Sequence, residues 1–269
     1  MCPPLIHSPE GVSLMSRFLL QSTLFLLALP GLSSCTSFYV PPPVRTATFE
    51  EEEELQTTFY RGESGSALRV DLSLPSSDWL PDDSDIDLKG IASFQLYDHI
   101  RDNKGEPDDQ RDQTEFDAGI GFFIHQDVLY ATATVGMAAG EINADYTRIQ
   151  EDFSLPFPWL RVTDHSLQGT YIRPWIDMTT GLILDPGWLP VRLDLGVPIR
   201  LHAPFFVSVE ENDPDLDSFG LVIGTGFYAR CTLFDLIAVE WSGGIDQPLI
   251  GSDWNSSYET FGFGLILGR

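Results

Sequence analysis

The chain has 269 residues, with 40 Asp and Glu against 15 Lys and Arg and a formal net charge of −25. Such acidity excludes a nucleic-acid partner, whose phosphates demand a basic surface. The 19 prolines and 23 glycines argue against an all-helical fold, and the length suits one large or two small domains.

Residues Met1 to Leu14 carry neither a leader nor a fold pattern, and Met15 is the better start. Ser16 and Arg17 give a short positive region. Phe18 to Leu29 is apolar apart from Gln21, Ser22 and Thr23, and Leu32-Ser33-Ser34-Cys35 follows. The apolar stretch is too short to span a bilayer, and small residues precede the expected cut. In type and order these parts resemble a bacterial lipoprotein signal peptide, which implies acylation of Cys35. Thr36 after the cysteine implies sorting to the outer membrane. Several acyl chains, at about 0.8 kcal/mol per buried CH₂, would anchor the chain stably.

The expected division is a leader over 1–34, a tether over 35–65 and a β-barrel over 66–269. The tether contains Pro41, Pro42 and Pro43, and its five like charges, Glu50 to Glu54, read as solvated. From Ala67 apolar residues recur at every second position, the period of a strand with one apolar and one polar face. Leu68, Val70, Leu72 and Leu74 open the series, and Ile91 to Asp98 is a weaker strand. Phe116 to Ile124 follows, then a tight turn near Gln126 and Asp127, then Leu129 to Met137. A short strand is expected over Ile142 to Arg148, a loop over Phe153 to Leu160, and a strand with mixed faces over Ser166 to Ile176, where Arg173 fits poorly. Leu189 to Leu201 alternates most regularly, though Pro190 and Pro198 would each remove a ladder hydrogen bond and call for bulges. Phe219 to Ala229, Ile237 to Ser242 and Thr260 to Leu267 complete about ten strands.

The strands are long for a soluble sheet, and about 9–11 residues suffice to cross a bilayer. The connections Pro75 to Asp87, His99 to Thr114, Ala203 to Asp217 and Asp246 to Ser257 are long, most of them acidic, whereas Gln126-Asp127 and Thr232 to Asp235 are short. Gly119, Gly121, Gly220, Gly224, Gly226, Gly262 and Gly264 all lie opposite the large apolar residues, as small residues do inside a narrow barrel. Trp79, Trp159, Trp188, Trp254 and Tyr258 fall at strand ends or in loops, where interfacial girdles form. Thr260 to Leu267 resembles the C-terminal insertion signal of outer-membrane barrels. Together these features resemble that class: an antiparallel up-and-down transmembrane β-barrel of about 8–10 strands. Period-2 alternation also describes a soluble lipocalin-like barrel with its apolar face inside, binding an apolar ligand in the periplasm.

On the barrel reading, Arg69, Asp71, Asp117, Arg192, Asp194, Arg200, Arg230 and Glu240 face inward. Buried charges need partners, so they form an internal paired network or line a narrow pore. Asp164-His165-Ser166 has the composition of a nucleophilic triad, but neighbours on a strand point to opposite faces. No catalytic set is assigned, and an enzyme acting on envelope lipid is the least favoured role. Cys231 falls on the apolar face, where a small buried hydrophobe is expected. Asp213, Asp215 and Asp217 form an oxygen-rich loop suited to weak Ca²⁺ binding, without the glycine and distal glutamate of an EF-hand. The sequence thus predicts an outer-membrane, lipid-anchored barrel with a structural or narrow-pore role. Lipid is its expected partner, with a covalent lipid on Cys35, calcium as a candidate ion, and no protein partner specified.

Overall fold

The computed structural model describes residues 42, 48–49, 54–62, 65–75, 87–101, 111–152, 159–211, 213, 216–251, 254 and 256–267. The leader, Cys35, Trp79, the acidic cluster Asp82, Asp83 and Asp85, and Asp215 lie outside them. Eleven strands follow in order: β1 (Leu55–Gly62), β2 (Gly65–Leu74), β3 (Asp87–Arg101), β4 (Arg111–Gln126), β5 (Leu129–Asp152), β6 (Trp159–Leu184), β7 (Val191–His202), β8 (Phe205–Glu211), β9 (Leu221–Leu233), β10 (Ile237–Ile250) and β11 (Ser256–Leu267). Each pairs antiparallel with its neighbours. β11 pairs with β1 from Leu55↔Leu267 to Gly62↔Thr260, which closes the sheet.

The closed wall has ten strands, because β8 continues β7. β7 pairs with β6 up to Trp175↔His202, and β8 resumes on the same side of β6 from Ile172↔Phe205. Pro204 interrupts the run: a proline cannot donate to the ladder, and its carbonyl accepts instead from the Gly220 backbone N–H at 2.9 Å. Ten strands was also the sequence expectation, but two offsetting differences produce the agreement. β1 lies within the stretch read as tether, so the barrel begins before residue 66. Its Leu55-Gln56-Thr57-Thr58-Phe59 has too few outward apolar residues to display the period. Conversely, the strands expected at Leu129 and Ile142 are one strand, β5, carried through Gly140 without a break.

Both described ends of the wall, Leu55 and Leu267, lie at one end of the barrel, with the β4–β5, β6–β7 and β9–β10 turns. This is the turn end. Asp127, Phe234 and Asp235 adopt positive φ there (54°, 55° and 52°), a conformation that Asp tolerates. Asp185 Oδ1 accepts from the Gly187 N–H at 2.7 Å, and Gly187 supplies a φ of 66°. The long β2–β3 connection also falls here, so one long loop faces the turn end. Opposite is the loop end, where β5 and β6 project as a two-stranded ribbon beyond the last β4 and β8 pairings, Arg111↔Ala144 and Leu167↔Glu211.

Side-chain direction separates the two candidate barrels. Phe59, Phe94, Leu96, Phe116, Ile120, Val135, Met137, Met178, Phe261, Phe263 and Leu265 are exposed on the outer face, with Ile120 and Phe263 each 66% accessible. Charged and hydroxyl groups fill the interior. This arrangement is the inverse of a lipocalin-like barrel, which buries its apolar face. Water would leave the outer belt unfavourably solvated, whereas hydrocarbon satisfies it.

Pro190 and Pro198 need no bulge. Pro190 precedes β7, where its carbonyl accepts from the Phe234 N–H at 2.9 Å. At Pro198 the ladder to β9 skips from Gly196↔Tyr228 to Ile199↔Thr225 without a change of register, while β6 still pairs across Thr179↔Pro198. Cys231 is half-buried on the outer face between Leu193 and Val239, not enclosed as expected, because that face looks outward.

Candidate functional site: a filled lumen

The polar faces of the ten strands converge on the lumen, and three layers close it. At the turn end Ile91, Phe123, Tyr130 and Ile183 form an apolar cluster with Phe49, which precedes the wall in sequence. At the loop end Ile142, Ala144, Tyr146, Leu167, Tyr171, Val222 and Trp254 form another, against which Phe206, Val209 and Leu216 pack. Charged groups fill the space between and extend into the turn-end layer, where Asp194 lies level with Ile183.

Arg69, Asp71, Asp117, Arg192, Asp194, Arg200, Arg230 and Glu240 are all buried. Glu240 sits at a junction. Its carboxylate accepts from the Tyr60 hydroxyl and from Arg69 Nη2 at 3.2 Å, and lies 3.6 Å from Arg230. Arg69 also pairs with Asp71 at 2.5 Å, and Asp71 Oδ1 accepts from Ser93 at 2.5 Å. Arg230 donates to Gln56 Oε1 at 2.6 Å. Near the turn end Arg192 Nε meets Asp194 Oδ1 at 2.9 Å. Arg69–Glu240 joins β2 to β10 and Gln56–Arg230 joins β1 to β9, each across two intervening strands, whereas Arg69–Asp71 and Arg192–Asp194 lie within single strands.

A second network joins Asp117 and Arg200 to groups that the sequence did not place in the lumen. Arg173 donates to Glu115 at 2.6 Å and to Asp117 at 3.2 Å, and the Trp175 indole N–H donates to Asp117 at 2.7 Å. Tyr171 gives its hydroxyl proton to Glu115 at 2.8 Å. Arg173, Trp175, Asp177 and Thr179 are the inward face of β6. Arg173 shares this face with the large aromatic Trp175, which is why the two faces of the strand look mixed in sequence. Arg200 pairs with Asp177 at 3.0 Å, and His202 meets Asp246 at 2.9 Å. Asp246 lies within β10, which continues past Ser242 because Gly243 and Gly244 sustain the pairing.

The lumen glycines serve as seats. A Cβ at Gly119 or Gly136 would meet the Trp175 ring, one at Gly181 or Gly196 the Tyr130 ring, and one at Gly262 the Tyr60 ring. Large rings therefore pack against the wall glycines, filling a space that a smooth wall of larger side chains would overfill. Two expected girdle residues belong to this filling. Trp254 is fully buried and donates its indole N–H to the Asp217 carbonyl at 3.1 Å, and Tyr258 packs against Gly226 and Gly244. Their place near a strand end in sequence says nothing about the face they occupy. Trp188, 78% accessible in the β6–β7 turn, does face outward.

The three residues Asp164, His165 and Ser166 do not converge: His165 points inward and stacks on Tyr146, while Asp164 and Ser166 are exposed. Asp213 is buried and accepts from the Tyr146 hydroxyl at 2.9 Å. Among the described residues, no three His, Cys, Asp or Glu groups converge as metal ligands.

A closed antiparallel barrel of ten strands, apolar outside and polar inside, defines the outer-membrane β-barrel class. Comparison of the sequence with protein families and with curated proteins finds no match. Among solved structures, the chain is similar to the translocator domain of the autotransporter NalP from Neisseria meningitidis, at 10% identity and a TM-score of 0.42, covering 80% of this chain and 86% of that one. It is also similar to LpxR from Salmonella typhimurium, at 10% identity and a TM-score of 0.34, covering 80% and 100%. The NanC porin aligns at 8% identity and a TM-score of 0.27, covering 80% and 99%. These likenesses are too distant to carry a role to this chain.

Proposed function

We propose that the protein is a closed-lumen barrel of the outer membrane, anchored additionally by lipid on Cys35, whose role is structural rather than catalytic or conductive. The observation supporting this reading most strongly is the filling of the lumen. Buried charge pairs occupy it, aromatic rings sit on its glycines, and an apolar cluster lies toward each end. An open aqueous pore requires a continuous wet path, and a transported ion would have to displace hydrogen-bonded pairs such as Arg173–Glu115 and Arg69–Glu240. The lipid anchor rests on the order of residues from Met15 to Cys35 and on Thr36.

Purified protein in planar bilayers tests the closed lumen. The expected record has no stepwise conductance, and ohmic steps at low voltage would overturn the reading. The anchor has a separate test. Cys35→Ala is expected to abolish lipoprotein processing and remove the acyl mass from the mature chain. An unchanged mass and cleavage would show that Cys35 carries no lipid.

A further inference from the structure

We propose that the outer face at the turn end binds one phospholipid with a primary-ammonium headgroup, its acyl chain in an apolar groove and its ammonium against Asp185. The groove has a volume of about 490 Å³ and is lined by Val128, Leu184, Pro186, Leu189, Val191 and Leu193. That volume falls within the range of small-molecule pockets. Two local features create it. Leu184↔Leu193 is the last rung of the β6–β7 ladder, and beyond it residues 185–190 leave the wall as a turn. The β4–β5 turn is held against the same place, because the Ile183 N–H donates to the Val128 carbonyl at 2.8 Å.

The occupant follows from where the groove opens. Leu184, Val191 and Leu193 belong to the outer face, and the next outward pair toward mid-membrane is Leu182↔Leu195. The groove therefore continues the lipid-facing belt, and an acyl chain of the surrounding bilayer enters it without leaving hydrocarbon. Water gains little there, since an apolar lining offers it few hydrogen-bond partners. Trp188, in the same turn, is exposed, as an aromatic anchor at the membrane interface is.

The headgroup follows from charge. Asp185 is the one charged residue among the described lining, and it is exposed. Its Oδ1 takes the Gly187 N–H at 2.7 Å, which fixes the carboxylate in the turn. Asp127 and Asp235, also exposed, occupy the flanking turns, and the Phe234 N–H bonded to the Pro190 carbonyl at 2.9 Å holds the β9–β10 turn beside this one. The described basic residues at this end, Lys89 and Arg192, are buried. An anionic phosphatidylglycerol headgroup would thus meet carboxylates without an exposed cation among the described residues. Phosphatidylethanolamine brings a positive charge with N–H donors, and phosphatidylcholine brings the charge without them.

The proposal is independent of the closed lumen and of lipid on Cys35, since every residue it uses lies on the outer face or in the tight turns. The test is native mass spectrometry of the folded full chain, titrated separately with dioleoyl phosphatidylethanolamine, phosphatidylcholine and phosphatidylglycerol. One phosphatidylethanolamine is expected to be retained, with an affinity up to about fivefold above that for phosphatidylglycerol, the range of an exposed ion pair. Asp185→Asn keeps the acceptor for the Gly187 N–H and is expected to remove most of this preference. Leu189→Ser is expected to weaken retention of all three lipids, whereas Ile120→Ser, on the outer face away from the groove, is expected to change none. Only barrels that keep heat-modifiable migration are compared. Equal retention of phosphatidylethanolamine and phosphatidylglycerol by the wild type would overturn the headgroup assignment. Unchanged retention in Leu189→Ser, or an equal loss in Ile120→Ser, would overturn the groove.

Discussion

Replacing Glu240 with Ala is expected to destabilise the folded barrel by about 3–5 kcal/mol, the cost of leaving buried charge without its partner. Glu240 is shared by Tyr60, Arg69 and Arg230, each drawn from a different part of the wall. Its removal leaves two guanidinium groups facing one another across a buried space. Asp71 retains Arg69, and Gln56 retains Arg230, which limits the loss to one carboxylate's share. Urea titration in liposomes, followed by heat-modifiable migration, measures the effect. Glu240→Gln should fall between the two, because it keeps hydrogen-bonding capacity but not the charge. Wild-type stability in Glu240→Ala would mean that water reaches these groups and that the lumen is open at this level.

The second large effect lies on the opposite face. Phe263→Arg should cost about 2–4 kcal/mol in a bilayer if the position lies near mid-membrane. Phe263 pairs laterally with Phe59 on β1 and Val239 on β10, so the new guanidinium would have no acidic neighbour there. Phe263→Leu should cost less than about 1.5 kcal/mol, since it keeps the surface apolar. The same arginine in a soluble barrel with a wet outer face would cost almost nothing. Comparison of the two variants by liposome unfolding therefore reports on lipid contact, with little contribution from packing.

The sequence showed the wall more clearly than its contents. Strand alternation is a local property and survives without knowledge of neighbours, so β2, β4, β7, β9 and β11 could be located from their apolar faces. β1 could not, because Gln56, Thr57 and Thr58 blur the period and the acidic run before it suggests a solvated tether. The last member of that run, Glu54, is in fact buried, and accepts from Gln56 Nε2 at 2.5 Å. Lumen charges within clean strands were visible as the polar face. Glu115 lies two residues before Asp117, and His202 two after Arg200, so extending the same period by one step would have included both. Asp246 was hidden by strand length, since β10 runs beyond the last clear apolar residue, and Arg173 by the inward Trp175, which obscures the β6 period. The few described residues before β1 had no period to read. Thr48 and Phe49 become part of the interior only through contacts with Arg192, Asp194 and Phe123, which lie at least 74 residues away in sequence.

The inside-out orientation of the wall is tested most directly on β11. Single cysteines at Thr260, Phe261, Gly262 and Phe263, in a Cys231→Ser background and inserted in bilayers, would carry an environment-sensitive fluorophore read with a lipid-phase quencher and an aqueous quencher. Strong lipid-phase quenching is predicted at Phe261 and Phe263, with neither quencher effective at Thr260 and Gly262. Aqueous quenching at Phe261 and Phe263, with the lipid quencher without effect, would contradict a membrane-spanning barrel.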